Sequence, residues 1–185
     1  NKNTFMFKSW NAENSPTLPI FHIDNNKDNS YKLWIHTNAI TERLDLSSKK
    51  ALEILFQSLE SFPLIDKWHS YLSDEICDAS RFKIGETKEA ISLCIDISSD
   101  NEITNWSFQL TKVKLSLLVE SKHLDALFKR KPSTRITSRI LKPIKDYILE
   151  LDKILEISRI FRTKQILHGK IEIPEQNSNI DSLNE

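Results

Sequence analysis

The residues with the clearest chemical meaning form a basic segment in the last third of the chain. Its seven lysines and arginines, with no acid among them, are Lys129, Arg130, Lys131, Arg135, Arg139, Lys142 and Lys145. Hydroxyl side chains lie between them, at Ser133, Thr134, Thr137 and Ser138. Cations and hydroxyl donors together favour contacts with phosphate oxygens over contacts with base edges. The segment therefore predicts a surface for a nucleic-acid backbone, and the alternative is a solvated basic loop that leads into a helix.

Bulk charge adds nothing to this prediction, because 26 basic residues balance 26 acidic ones. An electrostatic partner would have to be attracted by a local patch. Stacking of bases on aromatic side chains is a second route to nucleic-acid binding. Trp10 is a candidate because it lies in a loop without periodicity, whereas spacing assigns most of Trp34, Trp68 and Trp106 to the core.

Other catalytic chemistries find no support in the sequence. No metal-ligand spacing relates the five histidines, His22, His36, His69, His123 and His168. We expect His36 to be a structural histidine whose ring is hydrogen-bonded inside the fold. The only glycines, Gly85 and Gly169, exclude a glycine-rich phosphate loop, and no nucleophile-elbow motif is present. Cys77 and Cys94 are isolated, so we expect two buried thiols in a reducing compartment.

Strands are predicted where apolar and polar residues alternate. One hairpin joins residues 20–23 to residues 31–35, and a second joins residues 90–97 to residues 103–117. With two glycines available, we expect their turns to use Asn, Asp and Ser. A short, edge-like strand is predicted at residues 5–7. Another strand is predicted at residues 170–173.

Helices are predicted where apolar residues recur every three to four positions. Four such stretches run from Ser47 or Ser48 to Leu59, from Pro63 to Ile76, from Lys122 to Phe128, and from about Pro143 to Ile160. The basic segment between the last two, bracketed by Pro132 and Pro143, is predicted to be a loop. The expected fold class is α+β, with antiparallel hairpins packed against amphipathic helices. We expect one domain over residues 1–175 and a polar, disordered tail over residues 176–185.

Several motifs, in a fixed order, resemble a known family. They are Phe-Lys-Ser at 7–9, Lys-Leu-Trp-Ile-His at 32–36, Phe-Lys-Ile-Gly at 82–85, Asp-Asn-Glu-Ile at 100–103 and Gly-Lys-Ile at 169–171. Over residues 4–176 their order and spacing resemble the RNB catalytic domain of the RNase II/RNase R exoribonucleases, nearest to a divergent, cyanobacterial-type member. The resemblance implies that the chain corresponds to the first half of an RNB module.

The same resemblance implies that catalytic positions have been lost. Active members bind Mg²⁺ through acids spaced Asp-x5-Asp-x-Asp-Asp, and the matching positions here are Lys8, Asn14, Pro16 and Thr17. The family's His-Ile-Ala-Asp-Pro becomes His-Thr-Asn-Ala-Ile at residues 36–40, and the tyrosine that stacks on RNA in active members aligns near Ser121. Because Mg²⁺ requires oxygen ligands with carboxylate among them, we expect no metal site here. Lys8 itself either holds a phosphate as a point charge or is a solvated lysine on an edge strand.

These observations predict an RNB-family protein that acts in RNA binding or RNA processing without cutting, and without a cofactor. One alternative is that the full-length protein remains a hydrolytic 3′–5′ exoribonuclease. The other is that an old nuclease fold serves as a protein-interaction scaffold. The expected partner is single-stranded RNA, or a protein in the last case, and not a membrane. We expect a cytoplasmic protein, and a piece of a longer one because the chain begins at Asn1 with strand-like residues.

Overall fold

A computed structural model describes residues 2–8, 18–26, 28–40, 45, 47–49, 78, 80–130 and 138–171, and the backbone alone of residues 61–64 and 67–70. Its main element is a six-stranded sheet with the strand order β7-β6-β3-β2-β1-β8. The strands are β1 (Phe5–Phe7), β2 (Ile20–Asn25), β3 (Tyr31–Asn38), β6 (Thr87–Ile97), β7 (Ile103–Lys114) and β8 (Leu117–Val119). Strands β4 (Ser61–Leu64) and β5 (Lys67–Ser70) form a separate two-stranded sheet.

Both predicted hairpins are confirmed. β2 pairs antiparallel with β3, from Ile20 opposite His36 to Asn25 opposite Tyr31. β6 pairs antiparallel with β7 over their whole lengths. The turn of each hairpin contains an asparagine with positive φ, Asn29 in the first and Asn101 in the second, both at 61°. Asparagine tolerates this left-handed conformation better than most residues, so a chain with two glycines can still make tight turns.

Helical structure follows the last strand. Helix α1 (Ser121–Lys129) leads to a 3₁₀ helix (Arg139–Tyr147), which continues directly into helix α2 (Ile148–Leu167). α2 buries one stripe of apolar side chains, namely Ile148, Leu151, Ile154, Leu155 and Ile157. Among the described residues, none of the helices is long and apolar enough to span a lipid bilayer. The α+β fold class is confirmed.

Strand β1 joins two apolar clusters on opposite faces of the sheet, because successive side chains of a strand point to opposite faces. Phe5 is completely buried in the cluster that includes residues from β8, α1, the 3₁₀ helix and α2. Met6 belongs to the other cluster, with Ile20, Phe82, Ala90, Val113 and Leu115. β1 pairs antiparallel with β2 and parallel with β8, so the prediction of an edge-like strand was wrong. A strand flanked by two others and covered on both faces is interior.

Three further predictions need correction. The helix predicted from Pro63 does not begin there, because Pro63 and Trp68 lie on paired strands, and its later part at residues 71–76 lies outside the described residues. The basic segment is not a loop throughout, because it is helical from Arg139 onward. Lys170 and Ile171 are not in a strand. Most of the helix predicted from Ser47 or Ser48 to Leu59, and the tail over residues 176–185, lie outside the described residues.

Candidate nucleic-acid interface

The 3₁₀ helix aligns three cations of the basic segment on one side. Arg139, Lys142 and Lys145 are exposed, whereas Leu141 and Ile144 are each 1% exposed and point into the core. In a 3₁₀ helix, residues three apart are eclipsed and the rise is about 2.0 Å per residue. The three side chains therefore form one row with roughly 6 Å between successive positions. We call Arg139, Lys142 and Lys145 the basic ridge.

The basic ridge stands on a well-anchored element. The helix begins with a hydrogen bond from the Leu141 N–H to the Ser138 carbonyl, 3.0 Å long. Leu141 and Ile144 pack into the same cluster as Phe5, and the ring of Tyr147 meets the ring of Phe5 edge-on, with 5.8 Å between centroids. Leu141, Ile144 and Tyr147 therefore anchor the helix that carries the three cations to the core.

No member of the basic ridge has an ion-pair partner among the described residues. Arg130 contrasts with them, because its guanidinium forms an ion pair with Asp152 of α2, 2.5 Å from nitrogen to oxygen. That bond clamps the end of α1 to α2 and commits Arg130 to the fold. Lys129 is exposed at the end of α1. Cations without internal partners have charge available for an outside anion.

The remaining candidates of the segment cannot be placed beside the ridge. Lys131 and Arg135 lie outside the described residues, as does Trp10. Asp146, which is exposed, follows Lys145 directly and is the nearest acid to the ridge in sequence. The described interface is therefore the three-residue ridge with Lys129 near it in sequence.

The structure also brings together two segments that the sequence analysis compared with catalytic positions. The Lys8 N–H donates to the Val119 carbonyl at 2.9 Å, and the Ser121 hydroxyl donates to the Lys8 carbonyl at 2.9 Å. Lys8 is half-buried beyond the end of β1, an interior strand, so it is not a lysine on an edge strand. An ion pair with Lys122 lowers the pKa of the Glu120 carboxyl, and the charges of His123 and Lys8 act in the same direction.

This region does not fit Mg²⁺. The ion takes hard oxygen ligands and is usually bound through one or two carboxylates together with waters. Lys8 contributes a cation, which would repel a divalent metal. In the part of the chain that the structure describes, no three His, Cys, Asp or Glu side chains converge. The other three positions, Asn14, Pro16 and Thr17, lie outside the described residues and supply no carboxylate.

The arrangement of strands and helices matches a known domain. The family model of the RNB domain matches residues 1–185. The chain belongs to the RNB family. No curated protein sequence is significantly similar to it.

Solved structures agree with this RNB assignment at the level of the fold. Yeast Ssd1, described as a pseudonuclease, is similar with a TM-score of 0.67 and 16% identity, over 89% of this chain and 18% of Ssd1. RNase R of Mycoplasma genitalium, in complex with ribose-methylated single-stranded RNA, has a TM-score of 0.73 and 7% identity, over 93% of this chain and 25% of its own. Dss1 exoribonuclease of Candida glabrata has a TM-score of 0.56 and 15% identity, over 84% and 21%. The chain therefore spans about a fifth to a quarter of these proteins.

A buried polar chain crosses this RNB domain and was missed in the sequence analysis. The Thr111 and Ser92 hydroxyls are 2.5 Å apart, Ser92 Oγ is 2.6 Å from His36 Nδ1, and His36 Nε2 is 2.8 Å from His22 Nδ1. His36 is 1% exposed, and burial lowers its pKa to about 4. Burial also lowers the pKa of His22, although Asp24 opposes this effect. His36 is therefore a structural histidine, as expected, and both of its ring nitrogens have hydrogen-bond partners.

A second feature that the sequence analysis missed is an uncovered apolar face on β7. Trp106, Phe108 and Leu110 are 61%, 65% and 75% exposed, so the assignment of Trp106 to the core was wrong. The rings of Trp106 and Phe108 meet edge-on, with 5.8 Å between centroids. Alternation did show that the three share a face of a strand. It could not show that nothing among the described residues covers that face.

Proposed function

We propose that this RNB domain binds single-stranded RNA through the basic ridge and does not cut it. The observation that carries the proposal is the row of Arg139, Lys142 and Lys145, exposed on a helix whose other side is buried and without ion-pair partners among the described residues. An anion that meets this row does not have to displace an internal carboxylate. A phosphodiester backbone presents a row of such anions.

Electrostatics supports a backbone-directed mode of binding. Each neutralised phosphate of a single strand contributes about −0.7 to the slope of log K against log salt concentration. Three cations that each meet one phosphate would contribute about −2 to that slope. Phosphate contacts of this kind do not distinguish sequences, so we expect little sequence preference from the ridge. The ribose-methylated RNA bound to the M. genitalium RNase R is consistent with a single strand as the ligand class.

Lys8, which stands at the family's first acidic position, supports the proposal that the domain does not cleave RNA. The Lys8 backbone is held by one hydrogen bond to Val119 and one from the Ser121 hydroxyl, at the place where the family resemblance puts an acid and a substrate clamp. The side chains of Lys8 and Ser121 favour neither the binding of Mg²⁺ nor stacking on an RNA base. The likeness to Ssd1, a pseudonuclease, fits the same proposal. An RNA-binding protein without turnover needs no membrane, and we expect it in the cytoplasm.

The binding half of the proposal is tested by fluorescence anisotropy with a labelled single-stranded RNA over a range of salt concentrations. The variant Arg139→Gln/Lys142→Gln should lower affinity at low salt and make the slope shallower by about 1.4. The matched control is Lys83→Gln/Lys170→Gln, which removes the same net charge from exposed lysines outside the basic segment. If both double variants lost the same affinity for RNA, the basic ridge would have no specific role in binding. No RNA binding by the unaltered protein would favour the scaffold hypothesis.

The second half of the proposal needs its own assay. Full-length protein is incubated with RNA carrying a single-stranded 3′ tail, in the presence of Mg²⁺ or Mn²⁺, and the products are separated on a denaturing gel. We expect the RNA to keep its length. Progressive shortening from the 3′ end would overturn this half and support the exoribonuclease alternative, while leaving the ridge as a candidate for holding the substrate.

A further inference from the structure

One edge of the six-stranded sheet is β7, and the described residues leave its apolar face exposed. β7 stands at the end of the strand order, and Trp106, Phe108 and Leu110 project from one face of it. In an antiparallel ladder, alternate peptide groups point away from the neighbouring strand. Half of the N–H and C=O groups of β7 therefore have no strand partner among the described residues. Such an edge is a template for another strand.

The middle of β7 lacks the devices that protect many edge strands. Such devices include charged side chains, proline and bulges. Residues 103–111 of β7 are all uncharged and contain no proline. A register shift leaves Thr104, near the start of β7, without a partner on β6, and the pairing is regular from Asn105 to Lys114. A regular stretch of this length can accept a full additional strand.

Charges lie at the two ends of β7 and have opposite signs. Asp100 and Glu102 precede the strand, and Lys112 and Lys114 end it. Two of these groups also have a partner within the chain, because Glu102 meets Lys164 at 2.5 Å and Lys112 meets Glu89 at 3.6 Å. All four side chains belong to exposed residues. A second β7 that runs antiparallel would place its lysines beside the acids of the first, at both ends. A parallel partner would place like charges together.

We infer that two copies of this chain pair antiparallel along β7 and form one continuous sheet. With Phe108 opposite its own copy, Trp106 of each chain lies opposite Leu110 of the other. Residues directly opposite each other in an antiparallel pair have Cβ atoms about 4.5–5.5 Å apart, so these six side chains form one apolar surface. The pairing is isologous, as a twofold dimer requires. The contact is one strand wide, so we expect a weak, concentration-dependent dimer.

The test is a charge swap in the full-length protein. One variant carries Lys112→Glu/Lys114→Glu, and the other carries Asp100→Lys/Glu102→Lys. Each alone places like charges at both ends of the proposed pair, so each should be about tenfold or more weaker in self-association than the unaltered protein. Mixed in equal amounts, the two variants restore opposite charges at both ends. Sedimentation velocity from about 1 µM to about 100 µM, with one variant fluorescently labelled, measures each association.

Recovery of a dimer only in the mixture supports the inference. Three results overturn it: a monomer for the unaltered protein over the whole range, a dimer that persists in both separate variants, or a mixture that stays monomeric. Thermal unfolding followed by circular dichroism checks that both variants are folded, since each loses one internal ion pair. If either double variant fails to fold, the single swaps Lys114→Glu and Asp100→Lys replace them, since they keep both internal ion pairs. If no dimer formed and Trp106→Ala lowered the affinity for RNA, the apolar face of β7 would be assigned to stacking on RNA bases instead.

Discussion

Acidification from pH 7 to pH 4 should destabilise the fold through His36. Burial lowers the pKa of this side chain from 6.5 to about 4. Between these two values the unfolded chain binds a proton that the folded chain does not, so the free energy of unfolding rises with pH across this window. The stabilisation is complete above pH 6.5 and is lost as the pH falls toward 4. At 1.36 kcal/mol for each unit of pKa, the loss at pH 4 is about 3 kcal/mol.

Urea denaturation at several pH values measures this loss. Circular dichroism is the better probe, because Trp34 stacks on His22 with 5.5 Å between centroids and its fluorescence would respond to protonation directly. The pKa values of Asp28, Asp45 and Glu120 are lowered by local hydrogen bonds or ion pairs, so these carboxyls also lose stabilisation in acid. The contribution of His36 must therefore be obtained as a difference between proteins.

The variant His36→Gln supplies that difference. It removes the titrating ring, and at pH 7 it should cost about 1–3 kcal/mol because Ser92 and His22 lose a partner. The difference between the unaltered protein and the variant should then change by about 3 kcal/mol on going to pH 4, so it closes or reverses in sign. The exposed His168 gives the control variant His168→Gln, whose curve should follow that of the unaltered protein. Parallel curves for His36→Gln and the unaltered protein would refute the argument that burial keeps His36 neutral.

Three other predictions concern the fold and the ridge. Phe5→Ala should lower the free energy of unfolding by about 3–5 kcal/mol, because the ring is fully buried, whereas the exposed Phe128→Ala should cost much less in the same urea experiment. Asp152→Asn should weaken the contact with Arg130 and so lower the melting temperature. The affinity for RNA, measured by anisotropy, should not fall. A loss of RNA affinity would mean that the clamp also shapes the interface. Asn101→Ala should cost roughly 1 kcal/mol because φ is positive there, and Ser99→Ala in the same turn is the comparison.

The sequence was sufficient for the hairpins, because alternation and turn chemistry act locally. It failed at Pro63 and Trp68, where the strands are four residues long and too short for a period to appear. It also failed for the exposure of Trp106. Alternation assigns a residue to a face, but only tertiary packing decides whether that face is covered.

The candidate interface was predictable in composition and not in shape. Lysines and arginines between two prolines indicated a basic loop, and the prediction of a loop does not say how its side chains are arranged. The burial of Leu141 and Ile144, three residues apart, is what turns the end of the segment into a helix and its cations into a row. The loss of acids was visible from residue types alone. The contact between Lys8 and Ser121 was not, because it joins parts of the chain that are 113 residues apart.

The interior position of β1 has a consequence for synthesis on the ribosome. Its parallel neighbour β8 follows it by about 112 residues, as the contact between Thr4 and Ser116 illustrates. At about 5–20 residues per second, β8 emerges on the order of 10 s after β1. During that interval β1 can pair with β2, but its other edge is open and Phe5 has no cover. The nascent chain therefore exposes an unpaired strand edge for seconds, and a chaperone that recognises short apolar segments would find its target at β1.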